Sequence, residues 1–187
     1  MSFLSEILKC GCKGGPDESY NSKYRDCFLK SDYLVVIVGT ITSPTGQDNG
    51  FYYSSGSRLN HMYEMLDRYF DGSTNFRELC NNKQFDDVKK MLIKKGIIFL
   101  DTVSSCHNDK NSFRDDDLTS IKLDYDTFRD AKPGALLIAD SRNAYYSLLK
   151  IAHENHLENK IVFCPIFRRG YCQKQWEEVL SEGGIEK

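Results

Sequence analysis

Four short runs of this chain are apolar at almost every position instead of every second one: Tyr33-Leu-Val-Val-Ile-Val38, Gly96-Ile-Ile-Phe-Leu100, Ala135-Leu-Leu-Ile-Ala139 and Lys160-Ile-Val-Phe-Cys164. A strand with one wet face alternates. A strand covered on both faces carries a continuous Val, Ile and Leu run, as in a parallel sheet. Between and after these runs, apolar residues recur at helical spacing at about 58–70, 84–95, 142–155 and 174–182. Buried strands alternating with helices specify a three-layer α/β/α sandwich around a four-stranded, mostly parallel sheet. Right-handed crossovers put helices on both of its faces.

Residues 1–30 read differently. Phe3, Leu4, Ile7 and Leu8 fall at helical spacing, and Gly11, Gly14, Gly15 and Pro16 end that pattern. A second short helical stretch runs from about Tyr24 to Leu29. The expected division is a helical lead-in at 1–30 and a single α/β domain at 31–187. In an open α/β sheet, ligands bind beyond the carboxyl ends of the strands. The segments that would carry chemistry are then 39–60, 101–117, 140–143 and 165–173.

Composition narrows the setting. With 187 residues, 40% of them hydrophobic and 28% charged, the sequence is that of a globular chain. No apolar run nears the roughly 20 residues of a membrane span. The start, with an acidic residue inside its apolar stretch and no basic lead, does not read as a secretion signal. A cytoplasmic monomer (nucleoid-associated, or nuclear in a eukaryote) with no membrane partner is expected. The net charge of −2 argues against DNA held mainly by electrostatics, so any contact with nucleic acid must be local. The seven cysteines, an odd number at irregular spacings, read as reduced thiols.

The first crevice segment is the richest. It begins Gly39-Thr-Ile-Thr-Ser-Pro-Thr-Gly46, carries the aromatic trio Phe51, Tyr52 and Tyr53, and enters a helix at Asn60 and His61. Backbone N–H groups near Gly39 suit an anionic atom, the rings suit a planar partner, and the positive end of the helix points into the crevice. A plain surface loop with Ser57 as helix cap fits the same residues. The glycine–lysine–serine/threonine ending of a phosphate-binding P-loop is absent. In the second segment, Cys106 and His107 are neighbours, and adjacent residues rarely form a nucleophile–base pair. Cys10 and Cys12 lack the spacing and the second pair of a zinc or iron–sulfur site, so no metal or other cofactor is implied. His153 and His156, on a polar helix face, read as solvated. The fourth segment places Arg168, Arg169 and Lys174 around Tyr171, a local concentration of cations beside an aromatic that suits a phosphate backbone.

Taken in order, these parts resemble the uracil-DNA glycosylase superfamily, and within it the mismatch and hypoxanthine-type branch. The resemblance spans roughly residues 33–180. Its pieces are Val36-Ile-Val-Gly39-Thr-Ile, then Tyr52-Tyr53, then Asn60-His-Met-Tyr63. The most specific follows, Gly96-Ile-Ile-Phe-Leu-Asp101-Thr-Val103-Ser-Ser105-Cys106, and after it come Ser112 and Asp115. The last are Ile138-Ala-Asp140-Ser-Arg142-Asn-Ala144 and the stretch from Pro165 to Lys174 and Trp176. This chain departs from the family pattern in several places, among them two extra residues between the tyrosine pair and Asn60 and a late histidine–proline–serine reduced to Pro165. Ser55-Gly56 replaces a histidine–proline, Ile41 stands where many members carry a polar water-activating residue, and Asp140 stands where members present an asparagine to the base.

The resemblance implies a DNA glycosylase that hydrolyses the N-glycosidic bond of a flipped uracil- or hypoxanthine-class base in base excision repair. DNA carrying a damaged or mismatched base would be its partner. Asn60 would be the catalytic residue, orienting the water. The base would be bound by Gly39, Thr40 and Ile41, by stacking on Tyr52 or Tyr53, and by Asp140 accepting from it. His61, Ser105 and Ser112 would support these groups, and Arg168, Arg169 and Lys174 would hold the DNA backbone. Two alternatives remain: a nucleic-acid or nucleotide-binding module of this fold with altered catalysis, and a hydrolase of free nucleosides. Function lives in the site and not in the fold.

Overall fold

The computed structural model describes residues 27–41, 52–53, 61–107, 119–167 and 170–187. Most of the expected lead-in, the loop segments 42–51, 54–60 and 108–118, and Arg168 and Arg169 therefore lie outside the described residues. In chain order the elements are β1 (Val35–Gly39), α1 (His61–Tyr69), α2 (Phe76–Asn81), α3 (Phe85–Lys94), β2 (Ile97–Asp101), β3 (Val103–His107) and β4 (Thr119–Leu123). They continue with α4 (Tyr125–Arg129), β5 (Leu136–Ala139), α5 (Arg142–Asn155), β6 (Ile161–Phe163), β7 (Ile166–Phe167), β8 (Gly170–Tyr171) and α6 (Gln173–Glu182).

The four continuously apolar runs form one parallel sheet in the order β2-β1-β5-β6, with helices flanking it. Every residue of β1, β2 and β5 is buried, which is why these strands carry no alternation. Strand β1 lies between its sequence neighbour β2 on one side and β5 on the other. The connections therefore diverge at the β1/β5 boundary, which is the topological switch point of this sheet.

Helix α1 packs against α2 and α6. Its last residue, Tyr69, donates its hydroxyl to the Ile185 carbonyl, and Ile185 sits against Gly96 just before β2. His61, at the other end of α1, is thereby placed toward the carboxyl ends of the strands. The core is rich in large side chains, with Trp176, Phe28, Phe99, Tyr63 and Phe70 all removed from solvent. Two further ribbons lie beyond the parallel sheet: β3–β4, antiparallel with irregular register, and β7–β8, a short hairpin. Among the described residues, no helix is long and apolar enough to cross a membrane.

Candidate active site

The carboxyl ends of the parallel strands gather an unusual set of side chains. Gly39 ends β1, Asp101 ends β2, and Asp140 follows β5 directly. Both carboxylates are removed from water, at 4% and 9% exposure. A methyl group on Gly39 would lie 2.8 Å from Asp101 Oδ1, 3.3 Å from the Tyr53 hydroxyl and 3.9 Å from Asp140 Oδ2. Only a residue without a side chain lets these three groups approach one backbone position.

Tyr53 is fixed from two directions. Its hydroxyl donates to Asp140 Oδ2 at 2.7 Å, and its ring meets the Phe99 ring edge-on at 5.1 Å. Burial, reinforced by the Asp140 and Asp101 carboxylates, pushes this phenol well above its usual range, so it stays protonated and remains a donor. Its backbone sits at φ 50°, a left-handed conformation that a bulky residue rarely adopts. Strain of this kind persists where the surroundings over-determine it, and it clusters at functional sites.

A second set of bonds ties the crevice loops to one another. The Gly39 and Thr40 carbonyls accept from the Thr102 and Val103 N–H groups at 2.9 and 3.0 Å, joining the end of β1 to the start of β3. Thr40 Oγ1 lies 3.0 Å from Ser141 Oγ, and Ser141 accepts from the Ala144 N–H as the N-cap of α5. The first and third crevice segments are thus joined by this hydroxyl pair as well as by the Tyr53–Asp140 bond.

Of the residues expected to form the site, the structure gathers Gly39, Thr40, Tyr53 and Asp140. Tyr52 is a correction. It is 1% exposed, its ring packs against Phe28 and Phe99, and its carbonyl accepts from the Tyr63 hydroxyl, so its faces belong to the core. Ile41 packs on a small apolar cluster with Val103, Cys106 and Leu123 beneath the β3–β4 ribbon. Ser105 is buried in β3, opposite Lys122.

His61 has its Nδ1 3.4 Å from Glu64 Oε2 and its ring 6.0 Å from that of Tyr171, contacts that lie outside the Gly39 group. Lys174 is exposed and 3.8 Å from Glu178. Asn60, Ser112, Arg168 and Arg169 lie outside the described residues, as do Cys10 and Cys12. Asp101, which ends the fully buried β2, joins the group around Gly39 and has no counterpart among the expected site residues. An acid that ends a fully apolar strand at the crevice was the available signal.

Of the described thiols, Cys27 and Cys172 are exposed and the others are at least partly buried. Cys106 is buried, and burial pushes the Cys164 thiol up to about 12 and that of Cys80 to about 11. No group of three or more metal-ligating side chains occurs among the described residues.

Comparison with known proteins bears on the fold. No family model matches the sequence, and no curated protein matches it. The structure is similar to the solution NMR structure of a "putative Uracil DNA glycosylase" from Methanosarcina acetivorans, with a TM-score of 0.53 at 14% identity. The match covers 84% of this chain and 94% of that one. The fold is that of a uracil-DNA-glycosylase-like α/β protein. At this identity the likeness concerns the fold alone.

Proposed function

We propose that this protein hydrolyses the N-glycosidic bond of a deaminated base, of the uracil or hypoxanthine class, extruded from DNA into the crevice between β1 and β5. The observation that carries the reading is the convergence of Gly39, the strained Tyr53 and Asp140 at the switch point of a glycosylase-like sheet. Tyr53 presents a ring to a base, Asp140 accepts an N–H from its edge, and the bare backbone at Gly39 lets the base approach closely. Water adds to the sugar carbon as the carbon–nitrogen bond breaks, and the base leaves with the bonding pair and takes up a proton. Asn60, which immediately precedes α1, is the residue we assign to orienting that water; an amide suffices because the developing sugar cation is already a strong electrophile.

A scan of base release from single- and double-stranded oligonucleotides carrying uracil, hypoxanthine or other damaged bases tests this directly. Release by the native protein, lost in Asn60→Ala and strongly reduced in Asp140→Ala with folding intact, is the expected outcome. Absence of release from every substrate overturns the reading.

One observation favours a second reading. Two buried carboxylates, Asp101 and Asp140, face Gly39, where an anionic leaving base would be an unfavourable neighbour. A nucleic-acid or nucleotide-binding module with altered catalysis fits that floor, and it would show affinity without turnover.

A further inference from the structure

The rim that continues from Asp140 away from Tyr53 carries three aromatic rings in sequence. Tyr145 lies 5.6 Å from Phe163 and 5.8 Å from Tyr146, centroid to centroid. Tyr146 is 63% exposed and Phe163 37%, with Leu149 beside them at 40%. These residues stand at the carboxyl end of the sheet. Phe163 ends β6 and pairs with Ala139, the residue before Asp140. Tyr146 is one turn into α5, about 6 Å along the axis from Arg142. An exposed cluster of large rings this close to a crevice costs solubility and is a mark of an interaction surface.

Charge selects the partner. Arg142 and Lys150, one turn to either side of Tyr146 on α5, are both exposed, and neither has an ion-pair partner among the described residues. The first turn of α5 holds no acid, and no acid occurs from Arg142 to Lys150. A second copy of this chain, docked two-fold on the same face, would bring these like charges together. An acidic polymer that offers open ring faces suits the surface better.

We propose that the Tyr145–Tyr146–Phe163 rim, flanked by Arg142 and Lys150, holds the single-stranded stretch of nucleic acid next to the crevice, its unpaired bases stacked on the exposed rings and its phosphates on the two cations. Duplex DNA keeps its base faces stacked on one another and cannot use the rings, so the surface discriminates in favour of unpaired strand. The inference deepens the base-excision reading and rests on it for the choice of polymer, but it concerns binding and not bond cleavage.

Fluorescence anisotropy with an undamaged, unstructured oligothymidylate and with a blunt duplex of equal length tests it. The native protein is expected to bind the single strand more tightly. Tyr146→Ala and Phe163→Ala should each weaken that binding by between about fivefold and a hundredfold, with Tyr146→Phe retaining it. The Arg142→Ala/Lys150→Ala double variant should flatten the dependence of log affinity on log salt by about 1.4. Thermal unfolding checks that each variant folds.

Single-strand affinity that tracks these substitutions while no base is released leaves the rim assigned and removes the glycosylase reading. Base release with single-strand affinity indifferent to Tyr146→Ala and Phe163→Ala does the reverse. The inference is also overturned if the native protein does not bind the single strand, or if it sediments as a dimer that Tyr146→Ala dissolves.

Discussion

The two ends of the central sheet are built to opposite rules. At the amino ends, polar groups are matched and apolar groups are pressed together. Asn159 donates to the Lys132 and Ala135 carbonyls, the Tyr33 hydroxyl accepts from the Lys132 N–H, and Tyr69 donates to the Ile185 carbonyl. Gly183, after α6, lies so close to β1 that a methyl group there would sit 2.4 Å from Val35 Cγ2. At the carboxyl ends the fold instead buries Thr40, Asp101, Thr102 and Asp140 and holds Tyr53 in a left-handed backbone. Buried carboxylates and backbone strain both cost stability. Left-handed non-glycine backbone also occurs at the amino ends, at Asp71 and His156, so it is the buried carboxylates, absent there among the described residues, that mark the carboxyl ends as the end under functional constraint.

The sharpest way to break this contrast is to place the same methyl group at both ends. Gly183→Ala forces its Cβ into a rigid β-branched side chain in a packed strand and should cost about 1–3 kcal/mol of stability. Activity per folded molecule should be unchanged. Gly39→Ala instead pushes on Asp101 Oδ1 and the Tyr53 hydroxyl, the ends of two side chains, and the displacement should lower base release by about a hundredfold. Denaturant melts and single-turnover kinetics on both variants separate the effects. Equal stability losses with equal activity would erase the distinction between the two ends.

Next in size is Tyr53→Phe. It removes the 2.7 Å donor to Asp140 and leaves a buried carboxylate oxygen short of one partner, which should cost about 1–3 kcal/mol. Base release should fall as well, because Asp140 loses its anchor. A stability loss with unaltered kinetics would make the pair purely structural.

Legibility in the sequence follows the same contrast. The four parallel strands and helices α1, α3, α5 and α6 stand out because burial on both faces, or along one stripe, imposes a period on residue choice. Helix α2 has no such signature. It has six residues, and its first N–H groups are capped from a distance by Asp67 of α1, which accepts from Phe76 and Arg77. The β3–β4 ribbon shifts register twice, and the adjacent Ser104 and Ser105 break the alternation of β3.

At the crevice, Gly39 and Asp140 were readable because strand ends announce themselves. The split between Tyr52 and Tyr53 was not, since both rings pack on Phe99 and only the contact of Tyr52 with Phe28 and the bond of the Tyr53 hydroxyl to Asp140 tell them apart. Asp101 carried a signal, polarity at the end of an apolar strand, that motif matching alone did not turn into a role.

Alkaline titration gives a smaller, graded test. Burial raises the Cys80 and Cys164 thiols from 9.0 to about 11 and 12, and raises the phenols of Tyr33, Tyr53 and Tyr171 above 10.0. In each case the folded state keeps a proton that the unfolded chain gives up. Their stabilising contribution is therefore complete below about pH 9 and is lost as pH rises through the folded values. Stability measured by denaturant midpoint should be flat with respect to these groups up to pH 9 and decline above it. Tyr53→Phe should make the decline shallower, and an unchanged slope in that variant would show that its phenol is not protected.

The smallest effect is expected at Tyr171, and it sharpens the comparison by asking whether every buried polar atom near the carboxyl ends is held for a purpose. Among the described residues, the buried Tyr171 hydroxyl has no hydrogen-bond partner, and neither has Nε2 of the His61 ring beside it. Burial and the Glu64 carboxylate raise its titration while Arg68 and Arg77 oppose them, so it sits among charges without bonding to any of them. Removing an unsatisfied hydroxyl while keeping the ring relieves a desolvation penalty. Tyr171→Phe should therefore leave stability unchanged or raise it by up to about 1 kcal/mol, the opposite sign to Tyr53→Phe. A clear loss on calorimetric melting would mean that the Tyr171 hydroxyl is bonded in solution. The carboxyl end would then be polar by general design and not only around Gly39.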